Sequence, residues 1–292
     1  MFKWSLIFWF TGLSLFGQTE SNLMFDVHYG DAVQEWVAFP SLKKQGQFVA
    51  GYIYVSPQEG IVFHYHSSFH LGTSAEIVPD GIDTQELNRI RLGRAYNFKM
   101  ARLGEEHRQK LQLPLQPQGF AYHYVADEIQ RYYLTGKALN ADREFERAQV
   151  VLEKVYEKNP HYSGVELELA YSYNGIRRYD LTITLLTKAL ENDASQPLFY
   201  KELAFAFLNS GMVTMAEKTY QQCLEKTQDK GLKSEIGSSM AYYFYLQKKE
   251  EKFKEWRQVV DQNADAGSQY QLFMQQLERN WNNRPSHEMK KL

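Results

Sequence analysis

The sequence predicts an α+β protein: a small N-terminal antiparallel β-rich α/β module followed by an all-α helical solenoid. Two observations lead there. Between residues 36 and 71, aromatic and β-branched residues recur at period two, the repeat of a pleated strand. From about residue 129 onward, similar residue types return every 34 positions, which is the mark of stacked helical units. A third feature, an apolar run at the start of the chain, sets the expected compartment.

That run follows Lys3 and extends from Trp4 to Phe16, interrupted by Thr11 and Gly12. Gly17 supplies a small residue, and Gln18, Thr19 and Glu20 begin a polar stretch. Positive start, apolar middle and small residue are the order of a secretory signal, so residues 1–17 are expected to be a signal peptide. The run is shorter than the roughly 20 apolar residues of a membrane-spanning helix. No Cys follows it, so a lipoprotein anchor is not expected. The chain is read as exported, periplasmic or secreted, without stable membrane insertion after signal cleavage.

Without that segment the chain carries 32 basic and 35 acidic residues, a net charge of −3. This balance offers no electrostatic attraction to nucleic acid or to an anionic membrane. Cys223 is the only cysteine, so no internal disulfide can form and apolar burial must hold the core. No basic residue or His stands beside it to lower its pKa, and a buried, inert side chain is expected there.

The β-rich module is placed at residues 18–120. Trp36 to Phe39, Gln47 to Val55 and Ile61 to Leu71 are expected strands, and the turn Ser56-Pro57-Gln58-Glu59-Gly60 joins the last two. Short connections imply an antiparallel meander. Asn97 to Arg102 adds another strand, and Gly104 to Leu111 a short helix opened by Glu105 and Glu106. Pro114 and Pro117 mark the end of the module.

On the third strand, strict alternation puts Ile61, Phe63, Tyr65, Phe69 and Leu71 on one face and His64, His66 and His70 on the other. Histidines two apart on a strand point the same way, so His64 and His66 are the candidate metal pair, with His28, His107 and His123 as conceivable further ligands. A solvated strand face that happens to use His is the competing reading. No HExxH, G-x-S-x-G or phosphate-cradling Gly loop is present, and no cofactor is expected.

The helical region is placed at residues 126–281, with residues 282–292 as a flexible tail. Ala148, Thr182 and Ala216 stand 34 apart, as do Leu152, Leu186 and Tyr220, and again Val155, Ala189 and Cys223. Upstream, Gly136, Ala170 and Ala204 keep the same interval, as do Leu139, Tyr173 and Phe207. A small residue then an aromatic on a first helix, and a small, a large apolar and a small residue on a second, resembles the tetratricopeptide repeat family. The third copy fits best, through Tyr200, Leu203, Ala204, Phe207, Gly211, Ala216 and Tyr220. The second departs at Thr182, where the family has Ala, and at Ala194, where it has Pro. After Gln228 the register slips, although Ser234 to Gln247, Glu250 to Val260 and Gly267 to Trp281 still show helical spacing.

The resemblance implies helix pairs stacked into a curved surface whose first helices line a groove for a protein or peptide. Counting from the small-residue position, the groove residues would be Tyr133, Lys137 and Asn140 in the first copy. Leu167, Tyr171 and Asn174 follow in the second, and Leu198, Lys201, Phe205 and Leu208 in the third. Asn140 and Asn174 could each meet a peptide group of an extended guest, the aromatics could anchor it, and the lysines could meet a carboxylate. The expected function is that of an exported interaction or scaffold protein. The alternatives are a metal-dependent or hydrolytic N-terminal module with the repeats as a docking arm, and a purely structural part of an envelope assembly.

Overall fold

A computed structural model describes residues 23–81, 89–115, 117 and 125–283 of the chain. The expected signal peptide, His123 and most of the expected tail lie outside the described residues. The chain is α+β: an antiparallel sheet of seven strands precedes ten helices among the described residues. It divides into two compact units between Glu144 and Phe145.

In the first unit the strands are β1 (Phe25–Val27), β2 (Trp36–Pro40), β3 (Gln47–Ser56), β4 (Gly60–Leu71), β5 (Ile77–Gly81), β6 (Arg89–Arg91) and β7 (Met100–Arg102). They run in the order β1-β7-β2-β3-β4-β5, and β6 also pairs with β4. β2, β3 and β4 form the expected meander. The β3–β4 turn closes because Ser56 Oγ accepts the backbone N–H groups of Gln58 and Glu59, and Gly60 takes the left-handed conformation at φ +79°. β1 and β6, three residues each, are too short for alternation to show, and β5 holds Pro79, Asp80 and Gly81, which read as a turn; sequence reasoning missed all three.

One expectation fails in an instructive way. β4 pairs Tyr65 with Gly51 but Ser67 with Ala50, so His66 is an extra residue, a β-bulge. A bulge shifts every later side chain to the opposite face. Ile61, Phe63 and Tyr65 do share a face, whereas Phe69 joins Val62, Tyr52, Tyr54 and Ala50 in the cluster on the other. Leu103, Leu111 and Leu113, which flank the short helix α1 (Glu105–Lys110), complete that cluster. His70 is therefore separated from His64 and His66.

The helix α2 (Glu128–Ala141) packs against β3 and β4. Asp127 caps its start by accepting the Gln130 N–H at 2.6 Å. Its far end is clasped by ionic and hydrogen bonds. Arg91 reaches Asp142 at 2.9 Å, and Glu144 is held by His28 Nε2 at 3.0 Å and by the Tyr29 hydroxyl at 2.8 Å. His28 Nδ1 accepts the Gly30 N–H, which leaves Nε2 to carry the proton toward Glu144.

The second unit holds α3 (Phe145–Lys158), α4 (Val165–Gly175), α5 (Tyr179–Asn192), α6 (Pro197–Asn209), α7 (Val213–Lys226), α8 (Lys230–Leu246), α9 (Glu250–Asn263) and α10 (Gln269–Arg279). Consecutive helices from α3 through α7 pack pairwise, as do α8 and α9, and α10 lies on both of these. The region is a helical repeat. The residues spaced 34 apart are its packing positions, since Ala148, Ala170, Thr182, Ala204 and Ala216 are all fully buried. A larger side chain at such a crossing would force the helices apart.

The turns that close α2, α4, α6 and α8 repeat as well. Arg143, Arg177, Gly211 and Lys248 all adopt positive φ, between +58° and +79°. In each turn that residue bonds back to one carbonyl, and the next residue bonds to the carbonyl five positions earlier, as Met212 N does to Phe207 O at 2.9 Å. This Schellman closure satisfies carbonyls that a helix end leaves open. Only Gly211 meets the backbone demand without strain. We expect Gly211→Ala to lower stability by about 1–2 kcal/mol, the cost of a Cβ in the left-handed region, read as a lower urea midpoint at unchanged m.

The slip after Gln228 also finds its cause. The closing residues stand 34, 34 and then 37 positions apart. Asp229 caps α8 by accepting the Leu232 N–H at 3.1 Å, and α8 thereby gains about one extra turn at its start relative to α6. From there the pattern resumes: Ala241 and Phe244 take the buried places of Ala204 and Phe207.

Candidate functional site

The first helix of each pair in the second unit, α4, α6 and α8, places its buried small residue directly before an exposed aromatic. Ala170 precedes Tyr171, Ala204 precedes Phe205 and Ala241 precedes Tyr242. These three rings remain 43%, 39% and 41% exposed. The neighbouring residue is locked into the stack, so the backbone direction and hence the outward aim of each ring are fixed by packing.

Two of the rings are braced from the preceding pair. Phe145, at the start of α3, meets Tyr171 edge-on with centroids 5.5 Å apart, and Tyr179, at the start of α5, meets Phe205 at 6.2 Å. Gly175 makes room for the first contact, because a Cβ there would lie 2.3 Å from the Phe145 ring. Tyr242 lies 5.5 Å from Phe273 of α10. Edge-to-face contacts of this kind hold a ring in place while its outer surface stays wet.

The polar residues of the expected groove are engaged differently from the expectation. Asn174 is only 6% exposed, and its Nδ2 donates to the Glu202 carbonyl oxygen at 3.1 Å and to Glu202 Oε2 at 2.9 Å. It ties α4 to α6 rather than facing a guest. Lys201 is held by Glu235 Oε1 at 2.8 Å and by Glu202 Oε1 at 3.5 Å. Burial pushes its ammonium pKa down, but Glu202 and Glu235 outweigh that and leave it raised. Its charge is thus answered within the chain. Leu198 is exposed, while Leu167 and Leu208 are half-buried.

Tyr133, Lys137 and Asn140 lie on α2, in the first unit; Tyr133 is half-buried, Lys137 exposed and Asn140 buried. The sequence signal that would have found Tyr242 is the Ala-aromatic pair itself, which the fixed interval of 34 stepped over.

Cys223 is buried, its Sγ 3.0 Å from the Pro197 carbonyl oxygen, and burial pushes the thiol up to about 11. This is the inert setting expected of a small core residue. On the sheet, His66 stacks edge-on against Trp36 with centroids 5.4 Å apart, and burial lowers its pKa. His70 bonds Asp80 at 2.7 Å. Among the described residues, no group of three or more His, Cys, Asp or Glu is arranged to hold a metal ion, so His64 and His66 find no third ligand there. No helix among the described residues is long and apolar enough to cross a membrane.

No model of a known protein family matches the chain, and none of the curated proteins does. Among solved structures, the chain is similar to one described as MamA MSR-1 C2, with 20% identity and a TM-score of 0.40 over 48% of this chain and 83% of that one. A second, MamA AMB-1 C2221, shows 18% identity and a TM-score of 0.39 over 47% of this chain and 79% of that one. A third, MamA AMB-1 P212121, shows 19% and 0.39 over 52% and 81%.

Proposed function

We propose that this chain is an exported scaffold of the tetratricopeptide type, which holds a protein or peptide partner on the face formed by α4, α6 and α8. The observation that supports this reading most directly is the row of Tyr171, Phe205 and Tyr242, three half-exposed aromatics at equivalent positions of successive helix pairs. Each ring braces its own stack on one side and keeps its other side open, and aromatic anchors dominate binding energetics where a partner covers them. The mechanism is recognition by a preformed surface: the Schellman turns and the Asn174–Glu202 tie fix the helices before any partner arrives, which reduces the ordering cost of association.

The test is capture in cells. A photo-crosslinking residue at position 205 should join a defined partner, and one at Met215, exposed at the start of α7, should not. Tyr171→Ala combined with Phe205→Ala should reduce capture by roughly tenfold or more, the scale of losing about 1.4 kcal/mol or more of binding, with the far-ultraviolet helical signal unchanged. Capture that persists in the double variant removes this face from consideration.

A further inference from the structure

The bulge in β4 sets a titratable ring on the core side of the sheet. His66 is its extra residue and Ser67 pairs with Ala50, so both side chains turn to the same face. There the His66 ring meets Trp36 edge-on with centroids 5.4 Å apart. His66 Nδ1, Ser67 Oγ and Trp36 Nε1 are all buried, and none has a hydrogen-bond partner among the described residues. An imidazolium carries N–H on both ring nitrogens, so a protonated His66 would bury a donor at Nδ1 against Trp36, whose own polar group is only a donor. A buried donor without an acceptor costs free energy, and a buried charge costs more.

The neighbours offer no counter-charge among the described residues. On this face β4 presents His64, β3 presents Tyr52 and β2 presents Trp36. β6 sets Arg89 opposite His64, a cation already answered by Glu59 at 3.4 Å. Asp80 of β5 is engaged by His70, which the bulge turns to the other face. Leu103, Leu111 and Leu113, around α1, complete the surroundings with apolar surface. Burial is accordingly what lowers the His66 pKa.

A strand paired without the bulge gives no relief. His66 would then pair with Ala50 and still point to this face, while Phe69, now fully buried, would turn away from it. Opening is the response that remains. We propose that the bulge is an acid-sensitive latch: when His66 takes up a proton, residues 67–71 and the β5 strand paired with them come away from the sheet, while residues 60–64 stay in place. The unfolded chain takes up this proton at the ordinary histidine value of about 6.5, and the folded chain at a lower one. The stability of this part of the sheet is therefore present above that range and is lost as pH falls through it. Each unit of separation is about tenfold in the opening constant.

The experiment is hydrogen–deuterium exchange of the purified chain, read by mass spectrometry at about pH 7.5 and about pH 5.5 and corrected for the intrinsic pH dependence of exchange. Protection of residues 67–71 and 77–81 should fall by about tenfold, and that of residues 60–64 should hold. His66→Gln and His66→Phe, which cannot take up the proton, should abolish the difference, whereas His70→Gln should retain it. An unchanged profile, a loss spread evenly over the sheet, or a response that survives in a folded His66 variant overturns the proposal. Disappearance of the response in His70→Gln does so too. The wild-type ring supplies a reading that needs no variant: a His66 titration midpoint at or above about 6.5 by nuclear magnetic resonance also overturns it.

Discussion

Replacing Trp256 by alanine is expected to lower stability by about 3–5 kcal/mol, the range for removing a large aromatic from a packed core. Trp256 is 2% exposed and sits in the cluster that joins α6, α7, α8, α9 and α10. Its ring meets Tyr220 edge-on at 6.4 Å, and its Nε1 donates to Glu217 Oε1 at 3.2 Å. The helix it faces cannot move in to fill the gap easily. Gly237 of α8 already lies so close that a Cβ there would be 3.1 Å from the Trp256 carbonyl oxygen and 3.0 Å from Val260. A Trp256→Phe variant keeps most of the volume and loses only the indole nitrogen and part of the ring, so its loss should be less than half as large. Urea titration followed by circular dichroism at 222 nm separates the two. Equal losses would mean that the Glu217 bond, rather than the cavity, carries the effect.

The second large effect lies in the sheet. Gly51 faces the side of β3 that carries Ile53 and Val55, opposite Tyr65 and directly before the bulge. A Cβ at this position would fall 2.3 Å from the His64 carbonyl oxygen and 2.3 Å from the Phe63 ring. One obstacle is backbone that is bonded into the ladder, and the other is a ring 1% exposed and packed against Phe39 at 4.9 Å. Neither yields without disturbing its neighbours. Gly51→Ala should therefore cost about 2–3 kcal/mol, at the upper end of overpacking penalties. The companion variant Phe63→Leu with Gly51→Ala, which clears the ring but not the carbonyl, should recover only part of the loss. Full recovery would show that the ring alone sets the constraint.

These positions show where sequence reasoning succeeds and where it stops. The long strands are legible because ten or so residues are enough for a period of two to stand out, and the helix pairs because five residue positions recur together. The flip of Phe69 and His70 is not legible. A bulge changes the count by one residue without any change in composition, and here it is a His in a run already rich in His. The exposed rings are partly legible: Tyr171 and Phe205 emerge from counting, while Tyr242 is displaced by the extra turn of α8. Asn174 and Lys201 look like recognition groups because side-chain partners on another helix, Glu202 and Glu235, leave no trace in local spacing. α2 illustrates a different difficulty. By interval, Gly136 and Leu139 belong to the repeat series, and the left-handed Arg143 closes its turn like the others. By contact, the helix lies on β3 and β4 and is fastened at Asp142 and Glu144. Periodicity reports which template a segment was built on, not which neighbour it rests against.

The four left-handed closing residues carry a wider implication. Because each pair is sealed at its own internal bend, length added before the first helix of a pair is absorbed there and does not propagate into later helices, as the Asp229-capped start of α8 demonstrates. The chain is in effect punctuated, and its grammar lies in the bends rather than in a constant number of letters. Relatives of such proteins whose segments have drifted in size should therefore be recognised by aligning on the bend and allowing the distance between bends to vary.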